Sequence, residues 1–175
     1  MDKYDNYIFD FDGTIATIDV DWISLKKKIN TLCIQNEFRI EQKLNLKIDQ
    51  LKAVDSNVFQ IIKSFEQNSA DVDFQEIKPI ISFLKKLDVF YVVSNNLRST
   101  VSIVLKKIGL FENCKKIVGI EDIKNSKPSC SAFEVLLPFL NKGKSIYIGD
   151  RETDLEFAKN SNIDFKYVRD FYDFG

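Results

Sequence analysis

A length of 175 residues suits one core domain with room for a small insertion. The 25 basic and 26 acidic residues nearly cancel, so no overall field attracts nucleic acid or an anionic membrane, and no apolar run approaches the roughly 20 residues that span a bilayer. Three cysteines, Cys33, Cys114 and Cys130, have no metal-type spacing and form no redox pair; with no recognisable signal peptide, they predict free thiols in a cytoplasmic protein.

The first predicted strand, residues 7–9, runs directly into a polar cluster of Asp10, Asp12, Gly13 and Thr14. A carboxylate at the end of a buried strand is costly unless it is hydrated, paired or bound to a metal. In a parallel α/β sheet, such residues open into a site at the carboxyl ends of the strands. An ordinary Asp-Gly turn has the same appearance, so this cluster alone favours chemistry only modestly.

After the first strand, residues 21–69 show apolar side chains at helical spacing and no strand pattern. This pattern predicts an all-helical insertion of two to four helices. The expected division is therefore a core of residues 1–16 and 77–175 with an insertion at residues 17–76. The alternative is a helical accessory that packs beside the core without contributing to the polar site.

Beyond the insertion, strands and helices alternate. Four further strands are predicted, at residues 89–93, 116–119, 145–148 and 165–168. Helices are predicted between and around them, at residues 77–87, 99–108, 131–140 and 152–160. Pro79 is tolerated in a first helical turn, Gly109 is a natural helix stop, and Pro138 disfavours the far end of its helix. Five strands alternating with helices predict a doubly wound parallel α/β sheet.

Three later segments also place polar residues at the end of a predicted strand or in a loop. The second strand ends at Ser94 and Asn95, the fourth leads into Asp150 and Asp154, and Lys127 lies in a loop between them. Each has a structural explanation, as a helix cap, a solvated lysine or acids in a first helical turn. Together and in this order, those explanations would require four independent coincidences.

The ordered set resembles the four motifs of the haloacid dehalogenase-like hydrolases, in particular the phosphoglycolate phosphatase-like members with a small helical cap. The matching residues are Asp10-Phe11-Asp12-Gly13-Thr14, Ser94, Lys127, and Gly149-Asp150 with Asp154. The resemblance implies a Rossmann-like sheet in strand order 5-4-1-2-3. It also implies that the insertion after strand 1 forms a cap over the active site.

The same resemblance implies a magnesium-dependent phosphatase that hydrolyses a small phosphate monoester through an aspartyl-phosphate. Asp10 would be the nucleophile and Asp12 the general acid and base. Mg²⁺ would be held by Asp10, the backbone carbonyl of Asp12, and Asp150, an all-oxygen set suited to a hard cation. Thr14 and Asp154 would lie behind these ligands, with Asp154 orienting Asp150 or a metal-bound water.

The remaining motif residues would bind the phosphoryl group. Lys127 would offset the repulsion between the acids and the incoming dianion. Ser94 and the backbone amides of Phe11, Asp12 and Asn95 would hold the phosphoryl oxygens.

Alternatives remain open at this point. An acid at position 12 favours phosphate chemistry, since dehalogenases lack both this acid and the metal. A phosphotransferase or phosphomutase would keep both acids, although the absence of histidine counts against a β-phosphoglucomutase type. A non-catalytic binding protein on a hydrolase fold would predict a broken catalytic set.

We expect a small phosphorylated metabolite as the partner, neither nucleic acid nor membrane, and a monomer or weak dimer. Trp22 and Arg151 could face a substrate but are not assigned to the site.

Overall fold

A computed structural model describes residues 4–72 and 74–174. Its strands are β1 (Asn6–Phe9), β2 (Ala16–Ile18), β3 (Phe74–Glu76), β4 (Phe90–Val93), β5 (Cys114–Val118), β6 (Ser145–Gly149) and β7 (Asp164–Tyr167). Its α-helices are α1 (Trp22–Gln35), α2 (Leu44–Leu51), α3 (Asn57–Val72), α4 (Lys78–Leu84), α5 (Arg98–Lys107), α6 (Ser131–Leu136) and α7 (Glu152–Asn160). None of these helices is long and apolar enough to cross a membrane.

A five-stranded parallel sheet in the order β5-β4-β1-β6-β7 forms the centre of the fold. Numbered along the chain among themselves, these five strands lie in the order 3-2-1-4-5, which is 5-4-1-2-3 from the opposite edge. Successive side chains of a strand face opposite sides of a sheet. Ile8 and Phe9 accordingly pack into separate apolar clusters, which helices cover. The predicted doubly wound α/β fold is confirmed.

The chain leaves the sheet after β1 and returns through an antiparallel pair formed by β2 and β3, with Ala16 opposite Glu76. Helices α1, α2 and α3 lie between these two strands, within the expected number. The two strands themselves were not predicted; they lie on either side of residues 21–69, where the helical spacing was found. Three-residue strands carry too little alternation to be recognised in a sequence.

The inserted helices and the sheet share one apolar cluster. Leu25 of α1, Ile48 of α2 and Val58 of α3 are buried in the same cluster as Phe9 of β1. Burying such side chains contributes roughly 1.5–3 kcal/mol each. The insertion is therefore held against the core by packing as well as by its two connections.

Helix boundaries agree with the sequence to within a few residues, except where proline intervenes. Helix α6 ends at Leu136, and the 3₁₀ turn Leu137–Phe139 follows, so the predicted helix to residue 140 is too long. Pro138 lies in that turn. It accounts for the early end of α6, because a proline ring blocks an α-helical hydrogen bond and clashes with the preceding turn. Helix α7 occupies the predicted residues 152–160.

Candidate active site

The polar residues that follow β1, β4 and β6 meet at one edge of the sheet. Asp10 continues the β1 ladder by donating its backbone N–H to Ile148 O at 2.8 Å, and Ser94 continues β4 by donating to Val118 O at 3.0 Å. Asp150 follows the last residue of β6 directly. Parallel neighbours end at the same edge, so residues more than 80 positions apart in sequence come together there.

A tight turn after Asp10 places the first motif, residues 10–14, at this edge of the sheet. The carbonyl of Phe11 accepts hydrogen bonds from the backbone N–H groups of Thr14 and Ile15, at 3.1 and 2.9 Å. Gly13 has φ of +85°, and a Cβ there would lie 2.7 Å from Asp150 Cγ. Glycine is required at this position both by its left-handed backbone and by the close approach of Asp150.

Lys127 is the buried cation of the site. Its Nζ donates to Asp10 Oδ1 at 2.7 Å, to Asp154 Oδ1 at 2.6 Å and to Tyr147 Oη at 2.7 Å. These contacts use all three donors of the ammonium. Burial disfavours the charged form, but the two carboxylates outweigh that effect and raise the pKa of Lys127. Asn95 Oδ1 accepts from the backbone N–H of Lys127 at 3.0 Å and so holds its loop.

Three carboxylates form a compact oxygen cluster beside this lysine. One ligand atom each from Asp10, Asp150 and Asp154 lies within 4.8 Å of the others. Asp150 Oδ1 is buried with no hydrogen-bond partner among the described residues. Asp154 Oδ2 accepts from the backbone N–H groups of Asp150 and Arg151, at 3.2 and 3.1 Å. A buried acceptor without a donor, surrounded by carboxylate oxygens, suits a hard divalent cation.

The charges of the site lead to the same conclusion. Four carboxylates, those of Asp10, Asp12, Asp150 and Asp154, face two cations, Lys127 and Arg151. The group therefore carries two excess negative charges, which a divalent cation would balance. Burial raises the pKa of the carboxyls of Asp10 and Asp150, and the Lys127 ammonium counteracts the shift at Asp10.

Asp12 has an environment unlike that of Asp10. Its Oδ1 accepts from the backbone N–H of Ile18 at 3.2 Å, and its Oδ2 accepts from Arg151 Nη2 at 3.3 Å. Burial raises the pKa of Asp12, and the hydrogen bonds from Ile18 and Arg151 oppose that rise. A raised pKa favours the protonated form of the carboxyl, which a proton donor needs.

Ser94 is connected to the insertion through two side chains. Its Oγ donates to Asn96 Oδ1 at 2.9 Å, and Asn96 Nδ2 donates to Glu66 Oε1 at 3.0 Å. Glu66, on α3, also accepts from the backbone N–H of Leu97 at 2.9 Å. The insertion thus supplies an acceptor at the N-terminus of α5, where the helix has no side-chain cap of its own.

A second contact joins the insertion to the loop that carries Lys127. Asp49, on α2, accepts from Ser126 N at 2.8 Å and from Ser126 Oγ at 2.7 Å. Lys52 Nζ pairs with the same carboxylate at 2.7 Å. Two carboxylates of the insertion therefore bind the two loops that present Ser94 and Lys127.

A cavity of about 370 Å³ lies between the insertion and the carboxyl edge of the sheet. Its core side comprises Asp10, Asp12, Ser94, Asn95, Asn96, Lys127, Arg151, Thr153 and Asp154. Its insertion side comprises Trp22, Leu25, Leu44, Asn45, Ile48, Ile62 and Glu66.

The family model of the haloacid dehalogenase-like hydrolases matches residues 7–168. The chain belongs to this family. The membership confirms the family inferred from the four motifs.

Relatives of this chain differ in how much of it they match. Pyrophosphatase PpaX of Listeria welshimeri is 33% identical over 72 residues, which cover 40% of this chain and 33% of the relative. The matched segment thus spans a third of the length of that curated relative. A candidate phosphoglycolate phosphatase from Lactobacillus plantarum shares the fold, with a TM-score of 0.65, 15% identity, and coverage of 98% of this chain and 89% of that one.

A candidate HAD-hydrolase from Bacillus subtilis, solved bound to magnesium, also shares the fold. Its TM-score is 0.59 at 18% identity, and the alignment covers 94% of this chain and 88% of that one. At this level of identity, both structures inform the fold alone.

Several residues of the cavity carried no usable signal in the sequence. Trp22 and Arg151, which the sequence does not assign to the site, both line the cavity. Glu66 and Asn96 were not singled out, because a helix-borne glutamate or a second loop asparagine has no distinctive pattern. Thr14 Oγ1 is buried with no hydrogen-bond partner among the described residues, so its expected supporting role stays a prediction.

Proposed function

We propose that this hydrolase is a Mg²⁺-dependent phosphatase that cleaves small phosphate monoesters through an aspartyl-phosphate on Asp10. The observation that carries the proposal is the position of the Asp10 carboxylate, 2.7 Å from a buried ammonium and clustered with Asp150 and Asp154 at the cavity. That arrangement combines a carboxylate nucleophile, a cation and a candidate metal site around one point.

The metal would be held by the Asp10 carboxylate, the backbone carbonyl of Asp12, and Asp150, with Asp154 behind them. When bound, Mg²⁺ would neutralise charge on the acids and on the phosphoryl oxygens. The orphaned Asp150 Oδ1 supports this ligand set.

In the first step, an Asp10 oxygen attacks phosphorus while the bond from phosphorus to the alcohol oxygen breaks. Asp12 gives its proton to the departing oxygen, for which its raised pKa is suited. In the second step, water attacks the same phosphorus, Asp12 takes the water's proton, and the bond to Asp10 breaks. Free phosphate leaves, and both aspartates return to their starting states.

The remaining residues position the phosphoryl group. The hydroxyl of Ser94 would turn from Asn96 Oδ1 to donate to a phosphoryl oxygen, and the backbone N–H groups of Phe11, Asp12 and Asn95 would donate to the others. Lys127 would keep Asp10 oriented and compensate the incoming charge. Residues 17–76 would act as a cap on a core of residues 1–16 and 77–175, because their helices supply one side of the cavity.

Hydrolysis of p-nitrophenyl phosphate tests the proposal. We expect release of p-nitrophenol with Mg²⁺, no release with excess chelator, and loss of activity in Asp10→Asn. The exposed Asp88→Asn variant is the matched control, since it removes an aspartate far from the cavity. Wild-type activity in Asp10→Asn would remove Asp10 as the nucleophile.

A further inference from the structure

The two sides of the cavity differ in chemical character. The core side is polar and charged, as phosphoryl transfer requires. The cap side, where the alcohol part of a substrate would lie, is built mainly from apolar side chains: Trp22, Leu25, Leu44, Ile48 and Ile62. Trp22 is 43% exposed, so its indole is available to a ligand.

The cap side presents neither lysine nor arginine within the described part of the chain. Lys47 of α2 and Lys52, which directly follows α2, are engaged elsewhere. Lys47 is buried and donates to Asn30 Oδ1 at 2.6 Å, and Lys52 pairs with Asp49. Lys27 and Lys28 line a different surface hollow, shared with residues of α1 and Ile61.

Both cations on the core side already face carboxylates. Lys127 is bound by two of them, and Arg151, whose side chain is 60% exposed, faces Asp12 and Asp150 at 3.3 and 3.5 Å. With Asp12 protonated for the first step, a divalent cation would leave the group with one positive charge, and a phosphate dianion would then bring it to one negative charge. A further anionic group on the substrate would find no cation that lacks a carboxylate partner, and an unpaired charge in a partly buried cavity is strongly disfavoured.

The one ionisable side chain on the cap side strengthens this argument. Glu66 already accepts hydrogen bonds at both carboxylate oxygens, from Asn96 Nδ2 and Leu97 N. It offers an anionic ligand no attraction when protonated and repels it when ionised. An anionic leaving group would thus meet an apolar surface and an acid.

We infer that the substrate is a phosphate monoester whose alcohol part is uncharged and has an apolar face, packed on Trp22 and the aliphatic side chains of the cap. This inference rests on the proposed phosphatase function and specifies its substrate class. It sets the chain apart from hydrolases of phosphoglycolate or pyrophosphate, whose leaving groups carry a carboxylate or a second phosphate. The cavity volume of about 370 Å³ suits a small molecule of this kind.

Two matched substrate pairs test the inference in the wild-type enzyme with Mg²⁺. One pair is benzyl phosphate and its 4-carboxy derivative; the other is 2-hydroxyethyl phosphate and phosphoglycolate. Each pair differs mainly by one carboxylate. We expect kcat/KM to be at least about tenfold higher for the uncharged member of each pair, and highest for benzyl phosphate.

The outcomes separate the two proposals. Hydrolysis in which either charged member comes within tenfold of its uncharged counterpart overturns the substrate class and leaves the phosphatase proposal standing. If the enzyme hydrolyses none of the four compounds and does not hydrolyse p-nitrophenyl phosphate, the phosphatase proposal is overturned, and the substrate class with it.

A charge placed on the cap side provides a second test. Leu44 is half-buried at the cavity, and Leu44→Arg should lower the preference for the uncharged member at least about tenfold, mainly through KM of the charged one. Leu44→Met is the size-matched control and should keep the wild-type ratio. If Leu44→Arg folds poorly, Asn45→Arg at the neighbouring cavity position provides the same test. It should also lower the preference for the uncharged member of each pair. An unchanged ratio in a folded arginine variant overturns the inference.

Discussion

The ammonium of Lys127 lies 2.7 Å from the carboxylate of Asp10, although 117 residues separate them in the chain. Both groups are buried, so each depends on the other for compensation of its charge. Tyr147 fixes the ammonium further by accepting from it, and in turn donates its hydroxyl to Val93 O at 2.9 Å. Strands β1, β4 and β6 thus all contribute to the position of this pair.

Replacing the buried cation should damage both folding and catalysis. Lys127→Met leaves the carboxylates of Asp10 and Asp154 facing each other without a cation, at a cost of roughly 3–5 kcal/mol in the free energy of unfolding. We expect kcat on p-nitrophenyl phosphate to fall at least about a hundredfold. Urea unfolding and steady-state kinetics measure the two effects. Lys124→Met, at an exposed position three residues earlier, should change neither.

Magnesium should stabilise the wild-type protein through Asp150. A ligand that binds only the folded state raises Tm, so millimolar Mg²⁺ should give a measurable shift by thermal denaturation. Asp150→Asn removes the charge of the carboxylate whose Oδ1 has no hydrogen-bond partner in residues 4–72 and 74–174, and should reduce or abolish the shift. Asp88→Asn should retain it. A full magnesium shift in Asp150→Asn would contradict the proposed ligand set.

Glu66 should make stability depend on pH in a defined direction. Burial raises the pKa of Glu66 from 4.5 to about 7, against the lowering effect of the Leu97 N–H. As pH rises, the unfolded chain releases this proton before the folded one, so the folded state should lose up to roughly 3 kcal/mol between its unfolded and folded pKa values.

Glu66→Gln has no proton to release at this position. The free energy of unfolding of Glu66→Gln minus that of the wild type, measured in urea, should therefore rise by up to roughly 3 kcal/mol from about pH 5 to about pH 8. The exposed Glu112→Gln variant is the control for the substitution itself. A flat difference for Glu66→Gln would show that Glu66 titrates as it does in the unfolded chain.

The contact between Asp49 and Ser126 should couple the insertion to the loop that carries Lys127. Asp49→Asn weakens two hydrogen bonds, and Ser126→Ala removes one of them. In a double-mutant cycle on the free energy of unfolding, we expect a coupling energy of about 1 kcal/mol. We also expect kcat to fall in Asp49→Asn, since the loop that carries Lys127 loses its support. Additive effects on stability would mean that the two residues act independently.

The sequence predicted the family, the fold and the residues at the strand ends because these follow from local patterns. An apolar run followed by Asp10, or by Asp150, identifies the end of a buried strand, and parallel strands bring such ends together. Their separate catalytic roles stay predictions. The short strands β2 and β3 left no recognisable alternation.

The contacts between cap and core could not be predicted in the same way. Asp49 and Glu66 meet their partners because of how α2 and α3 are rotated over the sheet, and helical spacing alone does not determine that rotation. Arg151 was left out because nothing adjacent to Asp150 in the sequence shows that its guanidinium turns toward Asp12. These residues become visible only once the helices are packed.

The stereochemical course at phosphorus tests the central claim most directly. Each in-line displacement inverts phosphorus, so attack by Asp10 followed by attack by water should give overall retention. The measurement uses a substrate made chiral at phosphorus by isotopic and sulfur substitution, turned over by the wild-type enzyme with Mg²⁺. Retention, together with no turnover by Asp10→Asn, is the expected result. Overall inversion would show that water displaces the alcohol in one step, and would contradict an aspartyl-phosphate on Asp10.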